Sequence, residues 1–245
     1  WERFSYYAMR AILVLYLVDQ VSSKGGSGFG WTMTDALSLY GTFTMLVYLT
    51  PLIGGWLADN FLGQRKSIYI GGALMAAGQF IIGTPHAWVA GMEIEVFYVG
   101  LGLLIAGNGL FKPNISTMVG RLYPEGDSRR DSGFTIFYMG INAGAFIAPL
   151  VCGWLGYKYG WHAGFGAAGI GMILGLIVFS LGLKSGVFED NGLQPEEYKE
   201  KKMYGLKTDH FFYIVALLMV PISAFLVKNN AMEVVKGMQL HSSLL

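Results

Sequence analysis

Seven stretches of mostly apolar residues, each long enough to cross a lipid bilayer, succeed one another along this chain. They cover roughly 1–21, 33–58, 67–84, 90–118, 132–156, 162–183 and 208–227. A spanning helix needs about 20 predominantly apolar residues, and runs of this length without two-residue alternation argue against a β-barrel. Composition agrees: 13% of the 245 residues are charged, against about 25% in soluble domains, and mean hydropathy is +0.47. A net charge of +1 gives no basic footprint for nucleic acid. The single cysteine, Cys152, leaves no internal disulfide and no Cys-based metal cage, and neither a metal nor another cofactor is expected. The sequence predicts an all-α, polytopic protein embedded in the lipid bilayer.

The positions of Lys and Arg set the orientation, because cytoplasmic connections carry the excess. One set of connections holds Arg65, Lys66, Arg121, Arg129, Arg130, Lys184, Lys199, Lys201, Lys202 and Lys207, whereas the opposite set holds Lys24 and Lys158. The first set is placed in the cytoplasm, so helix 1 runs outward and the first six helices alternate. Residues 22–31 read as a Gly/Ser-rich loop and Thr84-Pro85-His86 as a tight turn. The longest polar connection, 184–207, reads as a solvated cytoplasmic linker. It divides the chain into a six-helix bundle over 1–183 and a region over 208–245 that begins with one further transmembrane helix. Trp1 already lies within a helix and no initiator Met precedes it, so a fragment of a longer protein is expected.

The ionisable residues inside these apolar spans carry the functional signal. Glu2, Arg3 and Arg10 lie in helix 1 and Lys112 in helix 4. A charge at the bilayer centre costs at least about 2.5–3.5 kcal/mol, so such groups face a protein interior or a water-filled cavity. Arg3, Tyr6 or Tyr7, and Arg10 follow at three- or four-residue steps and share one helix stripe. Read alone, Glu2–Arg3 is also compatible with an interfacial ion pair, and Arg10 or Lys112 with snorkelling toward water. Lys112 is followed by Pro113, which predicts a broken or kinked helix beside a buried cation, a common transporter device. Arg3, Arg10 and Lys112 against Glu2 leave a cationic surplus that calls for an anionic partner, and Arg suits a carboxylate through two parallel hydrogen bonds.

With these residues in place, WERFSYYAMRAILVLYLV resembles the first helix of the proton-dependent oligopeptide transporter family, within the major facilitator superfamily. Glu2 and Arg3 match the second Glu and the Arg of its E-x-x-E-R-F-x-Y-Y pattern. Ala8 stands where the family usually has Gly. Three further stretches are similar to family signatures: GGWLADNFLGQRK (54–66), GNGLFKPNIS (107–116) and FTIFYMGINAGAF (134–146). The resemblance covers 1–183 and implies the N-terminal six-helix half of a major facilitator fold, built from two inverted three-helix repeats. It leaves open whether 208–227 is an inter-bundle helix or helix 7.

The resemblance implies import of di- and tripeptides together with protons by alternating access. By position it gives Arg10, Lys112, Tyr6, Tyr7, Tyr48 and Asn142 to substrate binding, and Glu2, Arg3 and Lys112 to proton coupling. Asp59 and Arg65 match a conformational latch at the cytoplasmic face. The tyrosines are equally compatible with packing, Asn142 with a helix–helix hydrogen bond in its GxxxG setting, and Asp59 with a turn. The expected partners are the peptide, protons, the bilayer and a second six-helix bundle of the same protein, in the inner membrane of a bacterium. A proton-coupled carrier of nitrate or another small anion is the nearest alternative, and a non-transporting scaffold a more distant one. No nucleophile elbow, ligand-spaced His/Asp cluster or phosphate loop points to an enzyme.

Overall fold

The computed structural model describes residues 1–19, 28–124, 126–199 and 201–242, with side chains to residue 229. Most of the loop expected over 22–31, with Lys24, lies outside the described residues. Eight helices make up nearly all of the rest: α1 Glu2–Val18, α2 Met33–Leu57, α3 Gln64–Ile82, α4 Glu93–Arg121, α5 Arg129–Tyr159, α6 Trp161–Lys184, the short α7 Glu196–Lys199 and α8 Thr208–Ser242. Five of the described segments are long and apolar enough to cross a membrane: Met33–Leu62, Glu93–Arg121, Arg129–Tyr159, Trp161–Lys184 and Thr208–Asn229. The expected seven spans thus include two helices that fall short by length and composition. α1 has 17 residues, and α3 has 19 and opens on Gln64-Arg65-Lys66.

Local chemistry sets the boundaries. Thr32 caps α2 by accepting a hydrogen bond from the Asp35 amide at 3.1 Å. α2 runs on into one π-helical turn, Ala58–Leu62, and Gly63 ends it at φ 74°, a conformation other residues rarely adopt. Pro113 does not break its helix: α4 is continuous from Glu93 to Arg121. Beside Pro113, the side-chain Nδ2 of Asn114 donates to the Leu110 carbonyl at 2.6 Å.

The bundle centres on α4. α3 and α4 make the most extensive contact because glycines let their backbones meet. A Cβ on Gly71 would lie 2.6 Å from the Gly107 carbonyl oxygen, and one on Gly107 2.6 Å from that of Gly71. α2 and α8 pack on other sides of α4, while α1 packs against α5 and α6. α5 meets the bundle along a stripe of small residues. Only Ala148, Cys152 and Gly156 of that helix are buried, with Ala148 and Cys152 clustered against Ala8 and Ala168. Many of the large apolar side chains of α5, Ile136, Met139, Phe146 and Leu150 among them, are exposed.

The connection over 184–207 is exposed along most of its described length. After α6 it folds back onto the α2–α3 turn, and it contains a small antiparallel hairpin, Lys202–Met203 with Leu206–Lys207. Tyr204 and Gly205 both have positive φ, 51° and 82°, the pattern of a type I′ turn. α8 packs on α4 and α2. Phe212, Ala216 and Val220 are buried against Leu57, Leu103, Ala106 and Leu110.

Candidate functional site

The polar residues of α1 form a ladder inside the bundle. Glu2 is 7% exposed, and its Oε2 pairs with Arg3 Nε at 3.1 Å. Its other carboxylate oxygen is buried with no hydrogen-bond partner among the described residues. One turn further along α1, the Tyr6 ring stands between two guanidinium groups, 6.0 Å from Arg3 Cζ and 5.7 Å from Arg10 Cζ. Both separations are within the ~6 Å reach of a cation–π contact. Tyr7 stacks edge-on against Tyr6, with ring centroids 5.5 Å apart.

α2 and α4 complete the cluster. Arg10 Nε donates to the Tyr40 hydroxyl at 2.7 Å, and Arg10 Cζ lies 5.5 Å from the Tyr40 ring centre. Lys112 Nζ sits 4.2 Å above the ring of Tyr48 and within electrostatic reach of Glu2, Arg3 and Arg10. Arg3 and Lys112 therefore act on the one carboxylate of Glu2, and Arg10 stands beyond the Tyr6 ring against Tyr40. Such a cluster can receive a carboxylate through Arg10 or Lys112 while Glu2 keeps Arg3 as its partner.

The structure thus brings together Glu2, Arg3, Tyr6, Tyr7, Arg10, Tyr48 and Lys112. Asn142 stands apart, exposed on α5. Gly144, two residues on, is the position that meets Arg3 and Phe4, and two residues turn a helix by about 200°. Asn142 therefore lies on another side of α5 from the contact with α1. Tyr40 is a member that sequence reasoning missed, because a tyrosine in an apolar span reads as packing.

Asp59 and Arg65, matched to a latch, do not pair with each other. Asp59 Oδ1 accepts from Gln64 Nε2 at 2.6 Å, and Gln64 Oε1 accepts from Arg121 at 2.9 Å. Arg65 turns instead to the connection after α6. Its guanidinium donates to the carbonyls of Asn191 at 2.7 Å, Phe188 at 3.3 Å and Glu189. Its backbone amide donates to the Gly192 carbonyl at 3.0 Å. Lys66 bonds Gln194 and forms an ion pair with Asp209 at the start of α8. Gly192 at φ 76° and Glu189 at φ 44° bend the chain so that several carbonyls face one guanidinium.

Comparison with known proteins gives this arrangement a context. The POT family profile matches residues 65–203. The chain is 46% identical to the uncharacterized transporter YclF of Bacillus subtilis over 84% of this chain and 40% of that protein. It is 46% identical to the peptide transporter YePEPT of Yersinia enterocolitica over 73% of this chain and 34% of the relative. A di-/tripeptide transporter of Lactococcus lactis shares 42% identity over 82% of this chain and 39% of its own length. Among solved structures, a peptide transporter POT in complex with alafosfalin superposes with a TM-score of 0.74 at 42% identity, covering 92% of this chain and 44% of the other. A bacterial homologue of the human drug peptide transporters PepT1 and PepT2 gives 0.75 at 28% identity, over 98% and 51%. The chain spans less than half the length of the curated relatives named here. An all-α membrane bundle, four signature stretches in order and these matches lead to one assignment: the chain belongs to the POT family, transporters of the major facilitator fold, and corresponds to their N-terminal half.

Proposed function

We propose that this chain is the N-terminal half of a proton-coupled symporter that imports di- and tripeptides by alternating access. The observation that carries this reading is that three cations, Arg3, Arg10 and Lys112, share one polar cluster with a single carboxylate, Glu2. Its surplus of positive charge suits the carboxylate end of a peptide, with Arg10 oriented by Tyr40 and Lys112 held over Tyr48. Tyr6, Tyr7 and Tyr48 would line the pocket, and Asn142 would bond the peptide backbone from α5. Glu2, Arg3 and Lys112 would couple protonation to binding: substrate that draws away a cationic partner favours a proton on Glu2. A second six-helix bundle would close the pocket across the exposed face of α5. Asp59 and Arg65 would govern the cytoplasmic side, each through its own partners. The protein would sit in the bacterial inner membrane and act as a transporter, not an enzyme.

A small anion such as nitrate would satisfy the same cationic surplus, so the test must separate the two. The full-length protein in liposomes is loaded with radiolabelled dialanine in the presence of unlabelled competitors. Competition by di- and tripeptides, and none by nitrate, supports the peptide reading. Inhibition by nitrate with indifference to peptides rejects it.

A further inference from the structure

The hairpin over 202–207 sets two like charges against each other. Lys202 lies opposite Lys207, and Met203 opposite Leu206. Next along the ladder, the Thr208 amide donates to the Lys201 carbonyl at 3.2 Å. Hydrogen-bonded and non-hydrogen-bonded pairs alternate in such a ladder, so Lys202 and Lys207 form a pair of the second, closer kind, with Cα atoms about 4.5 Å apart. Their side chains share one face of the hairpin, where like charges repel.

The carboxylates described nearby are engaged elsewhere. Glu196 pairs with Lys199, Glu197 with Lys201 and Asp209 with Lys66. Lys202 and Lys207 are both exposed, and neither forms an ion pair with a described residue. Met203, adjacent to Lys202 and so on the other face, packs against the cluster that joins α8 to α4. The two ammonium groups therefore stand on the face turned away from the bundle, as a pair of donors for one anion.

The hairpin also borders the membrane. α8 starts at Thr208, and Thr208–Asn229 is long and apolar enough to cross a bilayer. At the hairpin turn, the Tyr204 ring is 90% exposed and stacks on Phe211, with centroids 5.6 Å and planes 29° apart. Phe211 lies about 4.5 Å beyond the start of the helix, so the turn lies alongside the first turn of α8. From Phe211 a stripe continues at three- or four-residue steps through Ile214, Leu218, Ile222 and Phe225, these four all exposed. Tyrosine favours the membrane–water border, and lysines just outside a spanning helix attract anionic lipid headgroups.

We propose that the 202–207 hairpin and the exposed stripe of α8 form a binding site for an anionic phospholipid. Its phosphate lies between Lys202 and Lys207, its glycerol beside Tyr204 and its acyl chains along Ile214 to Phe225. A free phosphate would meet the two lysines alone, whereas a phospholipid meets lysines, ring and stripe together. The site rests on the chain crossing a bilayer and not on its cargo.

The test is photo-crosslinking of the full-length protein in nanodiscs, with phosphatidylglycerol or phosphatidylethanolamine carrying a diazirine in one acyl chain. The readout is the yield of lipid adducts within residues 211–225. Phosphatidylglycerol is expected to label that segment about tenfold more than phosphatidylethanolamine. Lys202→Gln with Lys207→Gln should bring the two yields together, and Lys202→Arg with Lys207→Arg should keep them apart. Equal labelling by both probes in wild type marks ordinary surrounding lipid and overturns the proposal, as does undiminished preference in the glutamine variant. No labelling at all means that protein covers the stripe, and it overturns the proposal too. Loss of labelling in inorganic phosphate, beyond that in chloride of equal ionic strength, would mark a free-anion site instead. Should the glutamine variant fail to fold, the comparison of the two probes on wild type decides.

Discussion

Arg10 on α1 donates a hydrogen bond to the hydroxyl of Tyr40 on α2, 2.7 Å from Nε to oxygen. This bond aims the remaining guanidinium nitrogens while leaving them to bind something else. A hydrogen bond to a charged group contributes about 1.5–3 kcal/mol. Tyr40→Phe keeps the ring under Arg10 and removes the bond. The fold is expected to survive, with a rise in KM for peptide of about tenfold, the equivalent of ~1.4 kcal/mol. Initial-rate uptake over a range of dipeptide concentrations measures it, and an unchanged KM would show that Arg10 needs no such aim.

Lys112 rests on the face of Tyr48, with Nζ 4.2 Å from the ring centre, so the ring and not the hydroxyl is the partner. A cation–π contact contributes about 0.5–2 kcal/mol. Tyr48→Phe is expected to bind peptide like wild type and Tyr48→Leu several-fold more weakly. Loss of binding in Tyr48→Phe would instead give the role to the hydroxyl.

Arg65 holds three backbone carbonyls of the segment after α6, a grip that needs a fork of donors. Lysine is a point charge on a flexible stem and cannot reproduce it. Arg65→Ala and Arg65→Lys are both expected to speed amide hydrogen exchange over 186–195 by about tenfold, ~1.4 kcal/mol of local opening. Full protection in Arg65→Lys would show that charge alone suffices.

His86, in the turn between α3 and α4, shares a hydrogen bond of 2.9 Å with the Tyr16 hydroxyl. Burial holds its imidazole below the ordinary value of 6.5, with Glu93 nearby opposing that shift. A histidine with a lowered value is protonated first in the unfolded chain. Its contribution is therefore complete above about pH 6.5 and declines as pH falls through that value toward the folded one. The thermal midpoint of wild type should drop between about pH 7.5 and pH 5.5, and that of His86→Gln should drop less. Equal drops would remove His86 from the pH response.

Most of the spans and the polar cluster on α1 were legible because they rest on local arithmetic: the length of an apolar run, and a charge inside it. Partner choice was not legible. Tyr40 sits in apolar surroundings where an aromatic reads as filler. Asp59 and Arg65 lie close in sequence and suggest each other. The π turn and the bend at Gly63 instead leave Arg65 beside carbonyls more than a hundred residues away in the chain. Pro113 suggested a break or a kink, and α4 is unbroken through it. The hairpin at 202–207 rests on a Tyr-Gly turn whose first residue rarely takes positive φ, so it escaped notice within a charged run.

The most direct test of proton-coupled peptide import is uptake of radiolabelled dialanine by the full-length protein in liposomes, with and without an inward proton gradient, beside Lys112→Ala. Uptake that requires the gradient and disappears in Lys112→Ala, in protein shown to be folded, is the expected result. Uptake indifferent to the gradient, or undiminished in Lys112→Ala, would contradict the assignment of the buried cluster to coupled transport.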